Sequence, residues 1–384
     1  MADIKGVLTT LNHALPTGLD GARLAQWRLR QGRTYADVRN DIANALDAVN
    51  AEILTGWSNL LAITTEDYLE YPNGGAIGDM ARLTDLDRPQ PRKGTTIGHM
   101  IDLARYGDGV GGSEIYFRDT REAVVLAALR NIVQASRNIF EKVVLTRAMT
   151  TTENTLGTSG RDVPFVNGNP NDPTYTYVPP QWNGKTFDKT HNHFVALNSS
   201  NSKTLGDCLD TAASTINEHG FDGPYVAYVS EADVLTYRAL TAYIKPVSSQ
   251  IAVIDRGGLS SGNVFFEEGN IQAMPSVGGR YIGSYDTGYG VVYLRATNRI
   301  STGYGFMFKS YGANDPRNPI ALRVHPDVLF GLRIKEIPSF DTTWPVKEID
   351  IETEFGVSCG INRAIGAAWM LGAGASTYTN PTIS

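Results

Sequence analysis

The sequence predicts an α+β chain in which helices and strands are largely segregated. Three observations carry that expectation. No Gly or Pro interrupts the stretch from Asp119 to Met149, and a Gly- and Pro-rich segment precedes it. A helix–strand–helix unit starts near Thr204, and strand-like runs then follow one another as far as Ile337 with no further helical pattern. The composition is 42% hydrophobic and only 19% charged, with 39 glycines, which suits a large buried core joined by many turns.

The first 80 residues read as an arm with one good helix. Val38, Ile42, Leu46, Val49 and Ile53 recur at helical spacing, with Asp37, Asp41, Asp47 and Glu52 on other faces. Such a stripe does not say whether the helix packs on its own core or on a neighbouring subunit. Leu83 to Phe117 reads as a long loop carrying Pro89, Pro91, Gly94, Gly98, Gly107, Gly109, Gly111 and Gly112 among charges of both signs. Asp119 is the expected cap of the next helix, with Glu122 completing a capping box. Continued to Met149, this helix is a rod of roughly 45 Å at about 1.5 Å per residue. Its stripe is Val125, Leu129, Ile132, Ser136, Ile139 and Val143. Alternating steps of four and three resemble a coiled-coil seam, but Val124, Leu126, Phe140 and Val144 widen the stripe toward packing on a sheet. Hydrophobic burial must hold a rod of this length, with Arg130 and Arg137 outside the stripe.

Thr150 to Ser202 is rich in Asn, Pro, Thr and Gly, and reads as an inserted loop or a small β subdomain. Short strands are expected at Tyr175–Val178 and Phe194–Leu197. A helix runs from Thr204 to His219 with Leu205, Leu209, Ala212 and Ile216 on one face, ended by Gly220. Tyr225–Val229 is the next strand, and Ser230 caps a short helix containing Val234, Leu235 and Leu240. Further strands are expected at Ile251–Ile254, Val264–Phe266, Ile271–Met274, Arg280–Ile282, Val291–Ala296, Phe306–Lys309 and Ile320–Val324, with Leu329–Ile337 as the last major strand.

Charge and cysteine content exclude several classes. With 34 Lys and Arg against 40 Asp and Glu the net charge is −6, and no basic block favours specific nucleic-acid binding. Two cysteines, Cys208 and Cys359, form neither a disulfide framework nor a zinc set, so a reducing compartment is expected. The amino terminus lacks an apolar signal core, and Ala364–Ala375 is too short to span a bilayer.

Catalytic patterns are present only in fragments. Gly258-Leu259-Ser260-Ser261-Gly262 matches a nucleophile elbow, but the following residues read as a strand where a helix is needed. Gly184-Lys185-Thr186 ends like a phosphate-binding loop, yet Pro179 stands where its first glycine belongs. His191 and His193 would share one face of a strand and are able to ligate a metal. With no third ligand evident nearby they read as an ordinary surface pair. Glu267 and Glu268 point to opposite faces of a strand, so they are no acid–base pair. The sequence therefore predicts no enzyme, cofactor or metal site.

Taken in order, the elements are an arm, an extended loop, a spine-like helix, a helix–strand–helix unit, a mixed β region and a late return strand. This order resembles the major capsid protein of tailed double-stranded DNA phages, with its Hong Kong 97-type fold. The resemblance lies in Leu83–Phe117 as extended loop, Asp119–Met149 as spine helix, and Thr204–Gly220 with Pro224–Asp233 as the opening of the axial domain. Asn270–Pro275 and Arg280–Gly283 resemble the strand-turn segments that follow, and Ala321–Ile337 the return strand. It implies an amino-terminal arm at 1–81, an extended loop at 82–118, and a first part of the peripheral domain at 119–203 with a possible insertion at 150–202. An axial domain at 204–319, and a peripheral return with a carboxy-terminal extension at 320–384, complete the division.

The implied function is self-assembly as hexamers and pentamers into an icosahedral shell around a double-stranded DNA genome. Assembly would take place in the host cytoplasm, and the protein would end in the virion capsid. An encapsulin-like compartment shell is the alternative; a hydrolase would rest on Ser260 alone. Implied partners are other copies of the chain, a separate scaffolding protein, a portal, a decoration protein and non-specifically held DNA, with no membrane. A start at Met1 argues against removal of a propeptide. Candidate inter-subunit contacts are Arg88, Arg92, Lys93, Arg105, Arg130 and Arg137. Lys93 is the only lysine of the extended loop; a cross-link through it is left open.

Overall fold

A computed structural model describes residues 35–73, 95–113, 119, 122–156, 160–168, 177–246, 279–327, 330–335 and 346–383. The described chain divides into two compact units. One comprises Met1–Asn50, Arg105–Ser136 and Gly331–Thr353, and the other Ala51–Ala104, Arg137–Phe330 and Glu354–Ser384.

The described strands, in chain order, are β1 (Leu61–Thr64), β2 (Tyr68–Asn73), β3 (Thr95–Met100), β4 (Ala104–Ser113), β5 (Asn154–Leu156), β6 (Gly160–Asp162), β7 (Phe194–Asn198) and β8 (Tyr225–Ser230). They continue with β9 (Tyr243–Ile244), β10 (Arg280–Thr287), β11 (Gly290–Thr297), β12 (Tyr304–Lys309), β13 (Ile320–Arg323), β14 (Arg333–Lys335), β15 (Val346–Cys359) and β16 (Gly366–Gly372). The principal helices are Tyr35–Trp57, Glu122–Met149, Leu205–Asn217 and Val234–Arg238.

The larger unit is organised by a seven-stranded mixed sheet in the order β7-β16-β12-β8-β11-β10-β9. Its inner strand β8 is buried at all six residues. Tyr225, Ala227 and Val229 of β8 join a core with Leu205, Leu209, Ala212 and Ile216 of the helix above. The four helix residues are those expected from the sequence. Thr204 caps this helix by accepting from the backbone N–H of Asp207, whose carboxylate accepts from the backbone of Thr204 in return. On the other face Tyr228 stacks between Trp57 and Phe306, with ring centroids 5.2 Å from each.

The long helix runs for 28 residues, Glu122–Met149. Its Asp119–Glu122 cap falls on a boundary partly outside the described residues. Leu129 and Ile132 are buried, but Ile139 and Val143 are only half-buried. Phe140, Val144 and Ala148 are buried instead, in steps of four. An α-helix has about 3.6 residues per turn, so a seam expected at 3.5 drifts around the rod. Phe140 packs edge-on against Phe330 (5.3 Å) and Phe355 (5.2 Å). At the helix end Arg147 is buried and donates to the carbonyls of Thr150 (2.9 Å) and Thr152 (3.1 Å), where a cation also meets the negative end of the dipole. Arg299 reaches the same helix, donating to Glu141 (2.7 Å) and to Asn138.

In the smaller unit β4 and β14 both pair with β15. The amide of Asn50 clasps Leu332 through two backbone bonds of 3.0 and 2.8 Å. Gly331 makes the clasp possible: its φ is +127°, and a Cβ there would lie 2.3 Å from Asn50 Cγ.

Four sequence expectations change. The supposed loop Leu83–Phe117 contains strands β3 and β4, because the glycines between its polar residues admit close backbone pairing. The stretch expected as the last major strand, Leu329–Ile337, yields only the three residues of β14 among those described. The major late strands are β15 and β16. Phe355–Ser384, expected as an extension, instead supplies the end of β15 and all of β16. Tyr177 and Val178, expected in a strand, are irregular. The strands expected at 251–254, 264–266 and 271–274, and Ser260 with its glycines, lie outside the described residues.

Phe140→Ala removes the ring that Phe330 and Phe355 enclose. We expect a loss of about 3–5 kcal/mol in chemical unfolding of the isolated chain. Leu235→Ser, at a site 77% exposed, should change it by less than about 0.5 kcal/mol.

Candidate assembly surfaces and a histidine cluster

Strands β2 and β3 form an antiparallel hairpin stem registered from Tyr68↔Met100 to Asn73↔Thr95. Six paired residues at about 3.4 Å each carry the chain roughly 20 Å from its base. The connection between them holds Arg88, Arg92 and Lys93 and lies outside the described residues.

The base of this stem is tightly held. The Ile101 N–H donates to the Asp67 carbonyl at 2.9 Å, and the Arg323 guanidinium donates to the Ile101 carbonyl. His99 is 2% exposed, and its Nε2 donates to the Cys359 carbonyl at 2.9 Å. Burial pushes the His99 imidazole down to about 3, aided by the positive charge of Arg363; the Cys359 carbonyl opposes the shift and Arg147 adds to it. Gly356 of β15 meets the turn after β3 so closely that a Cβ would lie 1.9 Å from the Asp102 carbonyl oxygen.

The remaining arginines have different settings. Arg105 is exposed, with Nε 4.0 Å from Oε2 of the buried Glu352. The other oxygen of Glu352 accepts from Arg333 Nε (3.1 Å) and Nη2 (2.9 Å). Arg130 is exposed on the long helix. Arg137 is half-buried and forms an ion pair with Glu52 of its own chain, so its guanidinium is already engaged within the subunit.

The expectation for His191 and His193 as a surface pair is overturned. His193 is fully buried, and His219 supplies the third ligand-capable side chain. His219 follows the Leu205–Asn217 helix, 26 residues from His193, so no local spacing reveals it. The long strand was more legible. Ile349, Ile351, Thr353, Phe355, Val357 and Cys359 alternate with Asp350, Glu352 and Glu354, a period of two that would have located β15 and with it His99's partner.

A solved structure from Mycobacterium phage Patience is similar to 89% of this chain and 90% of its own, at 21% identity and a TM-score of 0.59. The capsid structure of the cyanophage P-SCSP1u is similar over 83% of this chain and 88% of that one, at 8% identity and a TM-score of 0.43. The capsid of a native GTA particle is similar over 84% and 91%, at 9% identity and a TM-score of 0.44. No protein-family model and no curated protein sequence matches. The chain has the Hong Kong 97-type α+β fold expected from its sequence, a conclusion resting on the first of these similarities.

Two predictions concern the stem base. Gly356→Ala forces a methyl onto the Asp102 carbonyl; it should cost about 1–3 kcal/mol or more and make the stem easier to cleave in limited proteolysis. His99 is held neutral when folded, with a pKa near 3, and has an ordinary value when unfolded. The unfolded chain therefore binds the extra proton, and stability falls as pH drops from about 6.5 toward 3. His99→Gln keeps a donor for Cys359 but does not titrate, so its melting temperature should fall less steeply with acid than that of the wild type.

Proposed function

We propose that this chain is a structural major capsid protein. It self-assembles as hexamers and pentamers into an icosahedral shell around double-stranded DNA, and has no enzymatic role. The single observation that carries this reading is the Hong Kong 97-type fold, matched over 89% of the chain. The hairpin stem supports it: a ladder with a well-held base is suited to project a polar connection away from its own core.

In this reading residues 1–81 act as the arm and 82–118 as the extended loop. The peripheral domain comprises 119–203, with 150–202 as an insertion, and 320–384; the axial domain is 204–319. Arg88, Arg92 and Lys93 engage a neighbouring subunit, and the exposed Arg105 and Arg130 add further contacts. Arg137 serves mainly its own chain through Glu52. Many moderate contacts then add up to a large total interface. A net charge of −6 limits adhesion to the packaged genome, because tight binding needs cationic contacts. A separate scaffolding protein, a portal and a decoration protein are the further partners, with assembly in the host cytoplasm before the shell becomes part of the virion.

The test is direct. The expressed protein should form closed icosahedral particles in negative-stain electron microscopy. Replacing residues 74–94 by Asn-Gly, a favoured two-residue hairpin turn, should leave a folded subunit that makes no stable shell. Equally stable particles from that variant would remove the loop from assembly. Particles isolated from the native source should protect double-stranded DNA from nuclease; protein cargo in its place would favour a compartment shell.

A further inference from the structure

His191, His193 and His219 bring three Nε2 atoms together, 3.1 Å apart for His191 and His193 and 2.9 Å for each of the other two pairs. Such a triangle cannot be satisfied by its own hydrogen bonds. The Nε2 of a neutral imidazole is either a donor or an acceptor. Three such atoms in mutual contact must include at least one like pair, lone pair facing lone pair or N–H facing N–H. His193 fixes one corner. Its Nδ1 lies 2.8 Å from the Gly366 carbonyl, which can only accept, so the proton is on Nδ1 and Nε2 presents a bare lone pair. Protonating a ring to make another donor would place a charge among buried side chains, since His193 and His219 are both buried. A cation accepting three lone pairs removes the conflict.

We propose that His191, His193 and His219 bind one divalent transition-metal ion of the Zn2+ class, with Glu218 as fourth ligand. Zn2+ takes imidazole nitrogens at about 2.0–2.1 Å in a tetrahedral arrangement. Glu218 Oε1 is on hand, 3.3 Å from His191 Nε2 and 4.0 Å from His219 Nε2. Its other oxygen is 3.5 Å from Lys185 Nζ.

The surroundings are built as a fixed cage. The hydrogen bond from His193 to Gly366 orients the ring as outer partners of metal-bound histidines do. The backbone of His193 is pinned on both sides, its N–H donating to Val166 (2.8 Å) and its carbonyl accepting from Ala368 (2.9 Å). Asp188 accepts from the Thr190 N–H at 2.7 Å and so holds the turn leading to His191. Phe187 lies over the rings of His191 and His219 at 4.8 and 4.1 Å and covers the cluster. Four protein ligands under an aromatic cover make this a structural site. It ties the 187–193 turn to the end of the Leu205–Asn217 helix.

The full-length protein, stripped with a chelator and then titrated with Zn2+, should take up one ion per chain and melt several degrees higher. Co2+ in its place should give the visible ligand-field bands of a tetrahedral site. His191→Asn, at the most accessible of the three rings, and His219→Asn should abolish the Zn2+-dependent rise. Glu218→Gln should weaken binding roughly 10- to 100-fold. His325→Asn should match the wild type. Absence of Zn2+ uptake and of a tetrahedral Co2+ spectrum in the wild type would overturn the proposal, as would unchanged binding in His191→Asn. These measurements are made on the unassembled subunit, so they stand apart from whether shells form.

Discussion

Strand β8 has no polar face. All six of its residues are buried, so every backbone N–H and carbonyl must find a partner within the protein. The strands on either side provide them, β11 parallel and β12 antiparallel. The requirement extends outward: two buried side-chain layers need covers, which the Leu205–Asn217 helix supplies on one face and the Trp57–Tyr228–Phe306 stack on the other. The end of the covering helix is thereby fixed and leads to His219, while the edge strand β7, joined to β8 through β16 and β12, begins just after His191 and His193. The order of the histidine cluster is a product of this inner strand.

The parts of the fold legible in the sequence are those where burial and local period agree. Leu205, Leu209, Ala212 and Ile216 face the core as their spacing requires, and the Thr204–Asp207 box starts their helix. The long helix was legible in extent and, through Leu129, Ile132 and the widening residues Phe140 and Val144, in much of its buried face, whereas Ile139 and Val143 of the heptad-like seam are only half-buried. Strands β3 and β4 were obscured by glycine, which weakens any side-chain pattern while leaving the ladder intact. The turn-rich composition around Phe355–Ser384 likewise hid a strand that lies inside the main sheet.

Functional groups were hardest to see when they depended on a partner distant in sequence. His99 carries no local motif; its significance comes from the Cys359 carbonyl, 260 residues later. Glu352 is buried beside Arg333 and approached by Arg105, each contributed by a different strand. Arg88 and Arg92, between β2 and β3 in the sequence, were evident as charges in a polar segment. Composition alone, however, could not separate Arg137, engaged by Glu52, from Arg130, exposed on the same helix.

The position of β16 bears on the timing of synthesis. In the sheet it lies between β7 and β12, and among the described strands β7 reaches the others through it. A nascent chain that has not yet exposed residues 366–372 therefore leaves Phe194–Asn198 without a ladder partner. Such long-range pairing is slow and comes late in folding. A growing polypeptide thus cannot complete this sheet while its late strand is still on the ribosome. Until residues 366–372 emerge, the strand that joins β7 to β12 is missing and the sheet stays open at that place.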